Sequence, residues 1–307
     1  MISTSQKVRL ILKLSGLSQE KLAQKIGVSF AALNAWLNER ARPRTRMLAR
    51  IDELYLEYTG GKTIPESELA AKKEILAQKH KSLPNPLGVI FVRKDIYDEF
   101  MLALTYHSNK IEGSTLTEPE TAAILFDNTT LPDKSLIEQV EVKNHQAALE
   151  YLFSYLRDSG MVDETLVLTL HTKLMNGIKS DAGFYRRHPV RIAGANVPTA
   201  NFLKVPELMK ELMRDAHIGS GDLIAKIASF HACFEQIHPF SDGNGRIGRL
   251  LMHAMALRAG YPPIVIREHK RQLYYTYLQK AQTKDDQTLL EDFVCDGLLD
   301  AYEILNG

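Results

Sequence analysis

The sequence predicts an all-α chain: a large helical domain interrupted by one short β-hairpin and preceded by a small, basic helical domain. Three observations carry this. Apolar residues recur at helical spacing in most segments from about residue 94 to 304. The first sixty residues break into short helices punctuated by Ser caps and Gly stops. One stretch, 183–202, instead spaces aromatic and β-branched residues between Gly and Pro.

Taken in order, the first helix carries Val8, Ile11, Leu12 and Leu14 and ends at Gly16. Ser18 is a good N-cap for a second helix over 19–26, although Lys21 stands where a full capping box would have an acid. Gly27 breaks the chain, Ser29 caps a third helix through Asn38, and Arg42, Pro43 and Arg44 stop it. Two short helices separated by three or four residues around a Gly form the helix-turn-helix pattern. Gly60 and Gly61 end this part, residues 66–81 read as a charged helix, and Pro84, Pro86 and Gly88 mark a turn-rich joint. Helical periodicity then covers 94–112, 117–127, 135–157, 163–178, 205–216, 222–237, 246–259, 270–281 and 287–304. Within 183–202, Tyr185, Val190, Ile192 and Val197 suggest the hairpin. The expected organisation is a helix-turn-helix-like domain over 1–60, a linker and helical connector over 61–93, and the main domain over 94–307, with no internal repeat.

A chain of 307 residues accommodates one large core plus a small one. The net charge of +1 selects no partner, but its distribution does. Ten Lys/Arg against five acids give residues 1–60 a formal +5, leaving the remainder at −4, and clustered arginines suit phosphates. Cys233 and Cys295 lie far apart without metal-like spacing, and Cys233, in an apolar helix, reads as a packed thiol. No window approaches a membrane span and no basic start precedes an apolar run, so a cytoplasmic protein is expected.

The densest chemistry lies between His238 and Arg249. An apolar helix over 222–237 delivers His238, and Pro239 pushes it out of helical geometry. Asp242, Gly243, Asn244 and Gly245 let backbone N–H groups converge into an anion nest, reinforced by the dipole of a helix starting near Arg246. Arg246 and Arg249 share one helix face, and Gly248 between them permits close approach of another element. Asp242 suits Mg²⁺ bridging phosphates, Asn244 can steady a phosphate oxygen, and the arginines can clamp outer phosphates. His238, with an imidazole pKa ordinarily about 6.5, suits a general base. A plain helix–loop–helix with a capping Asp and surface arginines is the alternative on spacing alone.

His238 to Arg249 resembles the Fic-domain signature, His-Pro-Phe-x-Asp/Glu-Gly-Asn-Gly-Arg-x-x-Arg, at every fixed position. The resemblance extends over most of 95–290 and implies a Fic-type helical domain and a protein AMP transferase that uses ATP and Mg²⁺. By position it makes His238 the base, Asp242 the Mg²⁺ ligand, Gly243 to Gly245 the phosphate nest, and Arg246 and Arg249 the holders of the β- and γ-phosphates. The segment 183–194, including Val190, Ile192 and Ala193, is similar to the family's β-hairpin flap, which would present a target protein's hydroxyl by strand addition. Tyr274 and Tyr275 resemble a Tyr pair near the adenine, or form a core aromatic pair. Gln282 stands where many relatives carry Asn.

Ser108, Glu112 and Gly113 resemble the family's inhibitory motif, Ser/Thr-x-x-x-Glu-Gly/Asn, which implies that Glu112 pairs with Arg249 and denies it to the γ-phosphate. A carboxylate at a helix C-terminus should in any case seek a cation. In some relatives this glutamate also assists AMP removal. Residues 17–29 resemble a repressor-type helix-turn-helix, which implies that Trp36 is core, that Ser29, Phe30, Ala31 and Asn34 face a DNA groove, and that Arg40, Arg42, Arg44 and Arg46 meet phosphates. A protein-interaction module with a solvated basic face is the alternative for 1–60. For the whole chain the alternatives are another phosphoryl or nucleotidyl transfer, or a nucleotide-sensing regulator. The target, the DNA sequence and a homodimer are left open.

Overall fold

The computed structural model describes residues 2–192, 197–217, 221–284 and 286–307. Among these residues the chain forms fifteen α-helices and two short 3-10 turns, with no strand.

Local signals set the first four helices: α1 (Thr4–Ser15), α2 (Gln19–Ile26), α3 (Phe30–Leu37) and α4 (Thr45–Thr59). The hydroxyls of Ser18 and Ser29 accept the backbone N–H groups of Lys21 and Ala32, each at 3.2 Å. Gly27 turns the chain at φ 85°, a left-handed conformation that suits a residue without Cβ. Val8, Ile11, Leu22, Leu33, Ile51 and Leu54 are fully buried between these helices, and Trp36 joins them as a core residue. The side chains of Ser29, Phe30, Ala31, Arg40, Arg42, Arg44 and Arg46 stay exposed.

The turn-rich joint expected at 84–88 is present but shorter: residues 83–85 break the helix between α5 (Glu66–Ser82) and α6 (Pro86–Val92), and 86–88 are already helical. Asn85 caps α6 by accepting the Gly88 N–H at 3.0 Å. Pro86 occupies the first turn, where a missing N–H is no loss. Pro84 stays in the break, and Pro86 opens the next helix. α5 buries Leu69 and Leu76 and is pinned to the C-terminal helix α15 (Thr288–Asn306), where Lys72 reaches both Asp292 and Asp296, at 2.5 and 2.8 Å.

The main body comprises α7 (Lys94–Ile111), α8 (Glu118–Phe126), α9 (Leu136–Arg157), α10 (Glu164–Leu174), α11 (Val205–His217), α12 (Leu223–Ile237), α13 (Asn244–Arg258), α14 (Arg271–Lys284) and α15. α13 is its axis, enclosed by α7, α9, α10 and α12. Its residues from Leu250 to Leu257 are all buried. Each fully buried Leu there contributes about 1.5–3 kcal/mol of apolar transfer free energy, which makes α13 a rigid support for the loop at its N-terminus. α14 and α15 pack on α12, while α4 lies against α14 and joins the N-terminal helices to the body.

The β-hairpin expected over 183–202 is not formed as strands among the described residues. Residues 187–192 and 197–201 run without helix, and the Thr199 hydroxyl bridges the two arms by donating to the Val190 carbonyl at 2.9 Å. Ala193 and Gly194 lie outside the described residues. The packed thiol expected at Cys233 is a correction: that side chain is exposed on α12, because it lies on the face turned from the core that Phe230 and Phe234 enter.

Gly248 marks the closest approach of α12 to α13. A Cβ there would lie 2.5 Å from Glu235 Oε1 and 2.8 Å from His231 Cε1, both buried. Gly248→Ala is therefore expected to cost about 1–3 kcal/mol and lower the melting temperature by roughly a few degrees in a thermal scan. An unchanged melting temperature would contradict this packing.

Candidate active site

The loop between α12 and α13 converts two helix ends into one site. His238 closes α12 in the left-handed region, at φ 51° and ψ 63°, rather than the extended region that a following proline usually favours. Its backbone N–H still caps the Phe234 carbonyl at 2.9 Å. The ring Nδ1 lies 3.2 Å from the Glu235 carbonyl, which can only accept, so Nδ1 carries the proton and Nε2 keeps a free lone pair. Burial, with the nearby Arg186 cation, holds the imidazole below its usual pKa despite the Glu235 carbonyl, Glu112 and Asp242. A neutral base at neutral pH follows.

α13 begins at Asn244 behind Gly243, whose φ is 77°, and no side chain caps its first N–H groups. Such an uncapped N-terminus suits anionic oxygens. The Asn244 amide closes on Phe240: its oxygen accepts the Phe240 N–H and one of its two N–H groups donates to the Phe240 carbonyl, both at 2.9 Å. Asn244 thus locks the loop. Beneath the loop, His171 stacks on Phe240 with ring centroids 3.7 Å apart. Its Nδ1 accepts the Gly183 N–H at 2.8 Å, which leaves Nε2 to donate to the Asp242 carbonyl at 3.2 Å. Burial lowers this imidazole to about 4.

The two arginines have different surroundings. Arg246 is buried and gives Nη1 to Glu141 at 2.6 Å, with Asp242 at 3.8 Å from Nη2. Arg249 is only 2% exposed and donates Nε to the Ser108 hydroxyl at 2.9 Å, and Nη2 to the Ser108 carbonyl at 3.0 Å and to Glu112 Oε1 at 2.7 Å. Burial opposes its charge, but the Glu112 carboxylate outweighs that and holds its pKa above the usual arginine value. Its Nη1 has no hydrogen-bond partner among the described residues. That atom lies 3.1 Å from where a Cβ on Gly245 would stand, and Glu112 Oε1 lies 2.3 Å from the same point. The Glu112 carboxylate therefore hangs over the first turn of α13 and takes one edge of the arginine. Glu112 itself sits just beyond α7 as its C-cap, and Gly113 follows at φ 107°.

Asp242 is half-exposed; burial works to raise its carboxyl, but the Gly243 N–H, Lys179 and Arg246 outweigh it and hold it below the usual value. One ionised carboxylate beside an anion nest fits Mg²⁺ shared with phosphates, which asks for one or two carboxylates rather than a protein cage. Among the described residues no cluster of three or more His, Cys, Asp or Glu could hold a metal alone. Tyr274 is a core residue, bonded through its hydroxyl to His231 Nε2 at 2.6 Å, whereas Tyr275 is part-buried and reaches the Ile111 carbonyl beside Glu112 at 3.4 Å. Gln282 ties α14 to α12 through the Ala232 carbonyl at 3.1 Å.

Glu141, Glu235, His171 and the role of Arg186 escaped the sequence analysis. Glu235 had a signal: it is an acid on the apolar helix, one turn before His238. Burial, with the neighbouring Glu112 charge, pushes it up to about 8, so it is neutral in the fold at pH 7 although Arg249 pulls the other way. The folded state then keeps a proton that the unfolded chain releases between roughly pH 4.5 and 8, and stability falls as pH rises through that window. Glu235→Gln removes the titration. Its melting temperature relative to the parent should climb from pH 5 to pH 8, by up to a few kcal/mol at most in stability. A pH-independent difference in thermal scans would refute the buried neutral acid.

A family model described as Fic/DOC matches residues 161–256, and a helix-turn-helix model matches residues 8–55. The protein adenylyltransferase Fic of Nematostella vectensis is 33% identical over 221 residues, covering 68% of this chain and 49% of that protein. The protein of the same name from Drosophila erecta is 30% identical over 219 residues, covering 71% and 43%. The chain thus spans about half the length of the curated relatives it matches. A Fic domain containing signaling protein from Bacteroides thetaiotaomicron superposes with TM-score 0.66 at 27% identity, over 77% of this chain and 98% of that one. Fic-1 from C. elegans gives TM-score 0.66 over 98% and 96%, at 22% identity, a likeness of fold alone. With the complete His238 to Arg249 signature at the mouth of α13, these matches establish that this chain carries a Fic/DOC-family domain behind an N-terminal helix-turn-helix domain.

Proposed function

We propose that the loop over 238–249 transfers AMP from ATP to a hydroxyl of a target protein, and that Glu112 restrains the transfer. The observation that carries this is the pairing of a proton-accepting His238 Nε2 with an uncapped helix N-terminus one loop away. The relatives named protein adenylyltransferase Fic support the same chemistry. The target hydroxyl oxygen forms a bond to the α-phosphorus, its proton passes to His238 Nε2, the bond from the α-phosphorus to the bridging oxygen breaks, and pyrophosphate leaves. The first N–H groups of α13 meet phosphate oxygens, and Arg249 offers its unpartnered Nη1 to the outer phosphate. Asp242 would hold Mg²⁺, which when bound neutralises phosphate charge. The arms 187–192 and 197–201 form the flap on which an extended target segment lies, adding to it as a strand.

Glu112 restrains this site by charge and by space. Its carboxylate engages Arg249 and lies over Gly245, so a γ-phosphate meets a like charge on the cation it needs. Glu112→Gly should raise self-modification from α-labelled ATP severalfold or more, with no label from γ-labelled ATP. Adding His238→Ala should lower it by about 10²-fold or more. Label from the γ-position would point to phosphoryl transfer, and a His238→Ala protein as active as its parent would favour a nucleotide sensor.

The exposed arginines at 40, 42, 44 and 46 beside the helix-turn-helix match favour DNA contact through 1–60. A gel shift with the full chain should then weaken steeply between 50 and 200 mM salt, because each neutralised phosphate releases counterions. Absence of binding at low salt would instead assign this domain to protein contacts.

A further inference from the structure

Arg186 opens the flap and takes no part in the transfer step described above. It is 2% exposed, and among the described residues no carboxylate lies within ion-pair distance. Its side chain donates only to backbone carbonyls: Nε to His238 at 2.7 Å, Nη1 to His188 at 2.9 Å, and Nη2 to Ala200 at 2.6 Å and Ile237 at 3.3 Å. Its own backbone N–H donates to the Pro239 carbonyl at 2.9 Å. One residue thus holds three consecutive carbonyls, 237 to 239, on the catalytic side, and one carbonyl on each arm of the flap.

A buried cation without an anion is costly, and carbonyl dipoles offset the cost only when several converge on it. The planar guanidinium supplies five N–H groups in a fixed fork, a span that a lysine ammonium cannot reproduce. The position it spans is itself unfavourable: His238 is a non-glycine residue at φ 51°, a conformation that persists only where its surroundings over-determine it. The peptide units on both sides of His238 are bonded to Arg186, so the flap fixes the direction of the imidazole.

We propose that Arg186 is the positioning residue that locks His238 to the flap, so that a target segment laid on the flap and the base that takes its proton keep one separation. The inference deepens the AMP-transfer reading and rests on it. Four groups face the His238 ring electrically: Arg186 from the flap, Glu112 from the end of α7, Asp242 from the loop and Glu235 from α12. Arg186 supplies the positive charge that opposes protonation, so its neutralisation should let the imidazole hold a proton to higher pH.

The test uses the full chain carrying Glu112→Gly, with Arg186→Lys and Arg186→Met added separately. Self-modification from α-labelled ATP is followed from pH 5 to 8, ATP affinity by titration calorimetry, and His238 by imidazole NMR. Both variants should lose about 10²-fold in rate, the cost of a misplaced reacting group, while ATP affinity changes less than about threefold. Arg186→Met should move the acidic limb of the rate profile and the His238 titration to higher pH, and Arg186→Lys should leave both in place. A parental rate in either variant, a parallel loss of ATP affinity, or an unmoved His238 titration in Arg186→Met would overturn the proposal. If the Glu112→Gly parent itself transfers no AMP, the enzymatic reading fails, and the NMR titration still decides whether Arg186 governs His238.

Discussion

A guanidinium buried in the middle of a helical core is the constraint around which this site is organised. Arg249 projects from α13 into a region shared with His145, His231, His253, Glu235 and Tyr274, all of them buried. Burial first, and the Arg249 charge second, push His145, His231 and His253 well below the usual imidazole value, the last two to about 3. These three histidines are neutral and cannot share the positive charge. Glu235 is neutral too, since burial and Glu112 keep its proton on. An arginine amid neutral partners creates a standing demand for an anion at its remaining edge. Glu112 answers that demand in this structure, and on the proposed function a phosphate oxygen would answer it during transfer. Autoinhibition in this reading needs no separate device, because the same unmet charge attracts inhibitor and substrate.

The fold was legible wherever short-range chemistry decides it. Ser18, Gly27 and Ser29 signal helix ends through their own side chains and backbone freedom, and the helices begin and end there. The 84–88 segment was legible as a break but not in its extent, because proline marks both the end of one helix and the first turn of another, and Asn85 caps a start at Pro86. The signature loop was legible as a set of residues but not as a division of labour. Asn244 reads as a phosphate ligand in sequence, yet its amide closes a ring of hydrogen bonds with Phe240 four residues back. Arg246 reads as the twin of Arg249 and is instead bonded to Glu141, over a hundred positions away. Such pairings depend on which helices meet, and periodicity carries no information on that.

The two carboxylates are unequally anchored, which on the proposed function would let one arginine change partner while the other stays fixed. Glu141 lies inside α9, a 22-residue helix whose flanking residues Val142, Asn144 and His145 are buried, so its backbone cannot withdraw without disturbing that packing. Glu112 is the C-cap of α7, followed by a left-handed glycine around whose Cβ position nothing lies within 4 Å. Its carboxylate is the more exposed of the two, at 33% against 21%. A part-exposed side chain at a helix end can swing away at the cost of rotamer changes and one charge-assisted hydrogen bond, on the order of 1.5–3 kcal/mol. A triphosphate that brings more charge to the same guanidinium can exceed that. Arg246 is bonded to a carboxylate held within α9, and on the proposed function Arg249 alone would exchange its partner, making the two positions three residues apart a fixed strut and a contested contact.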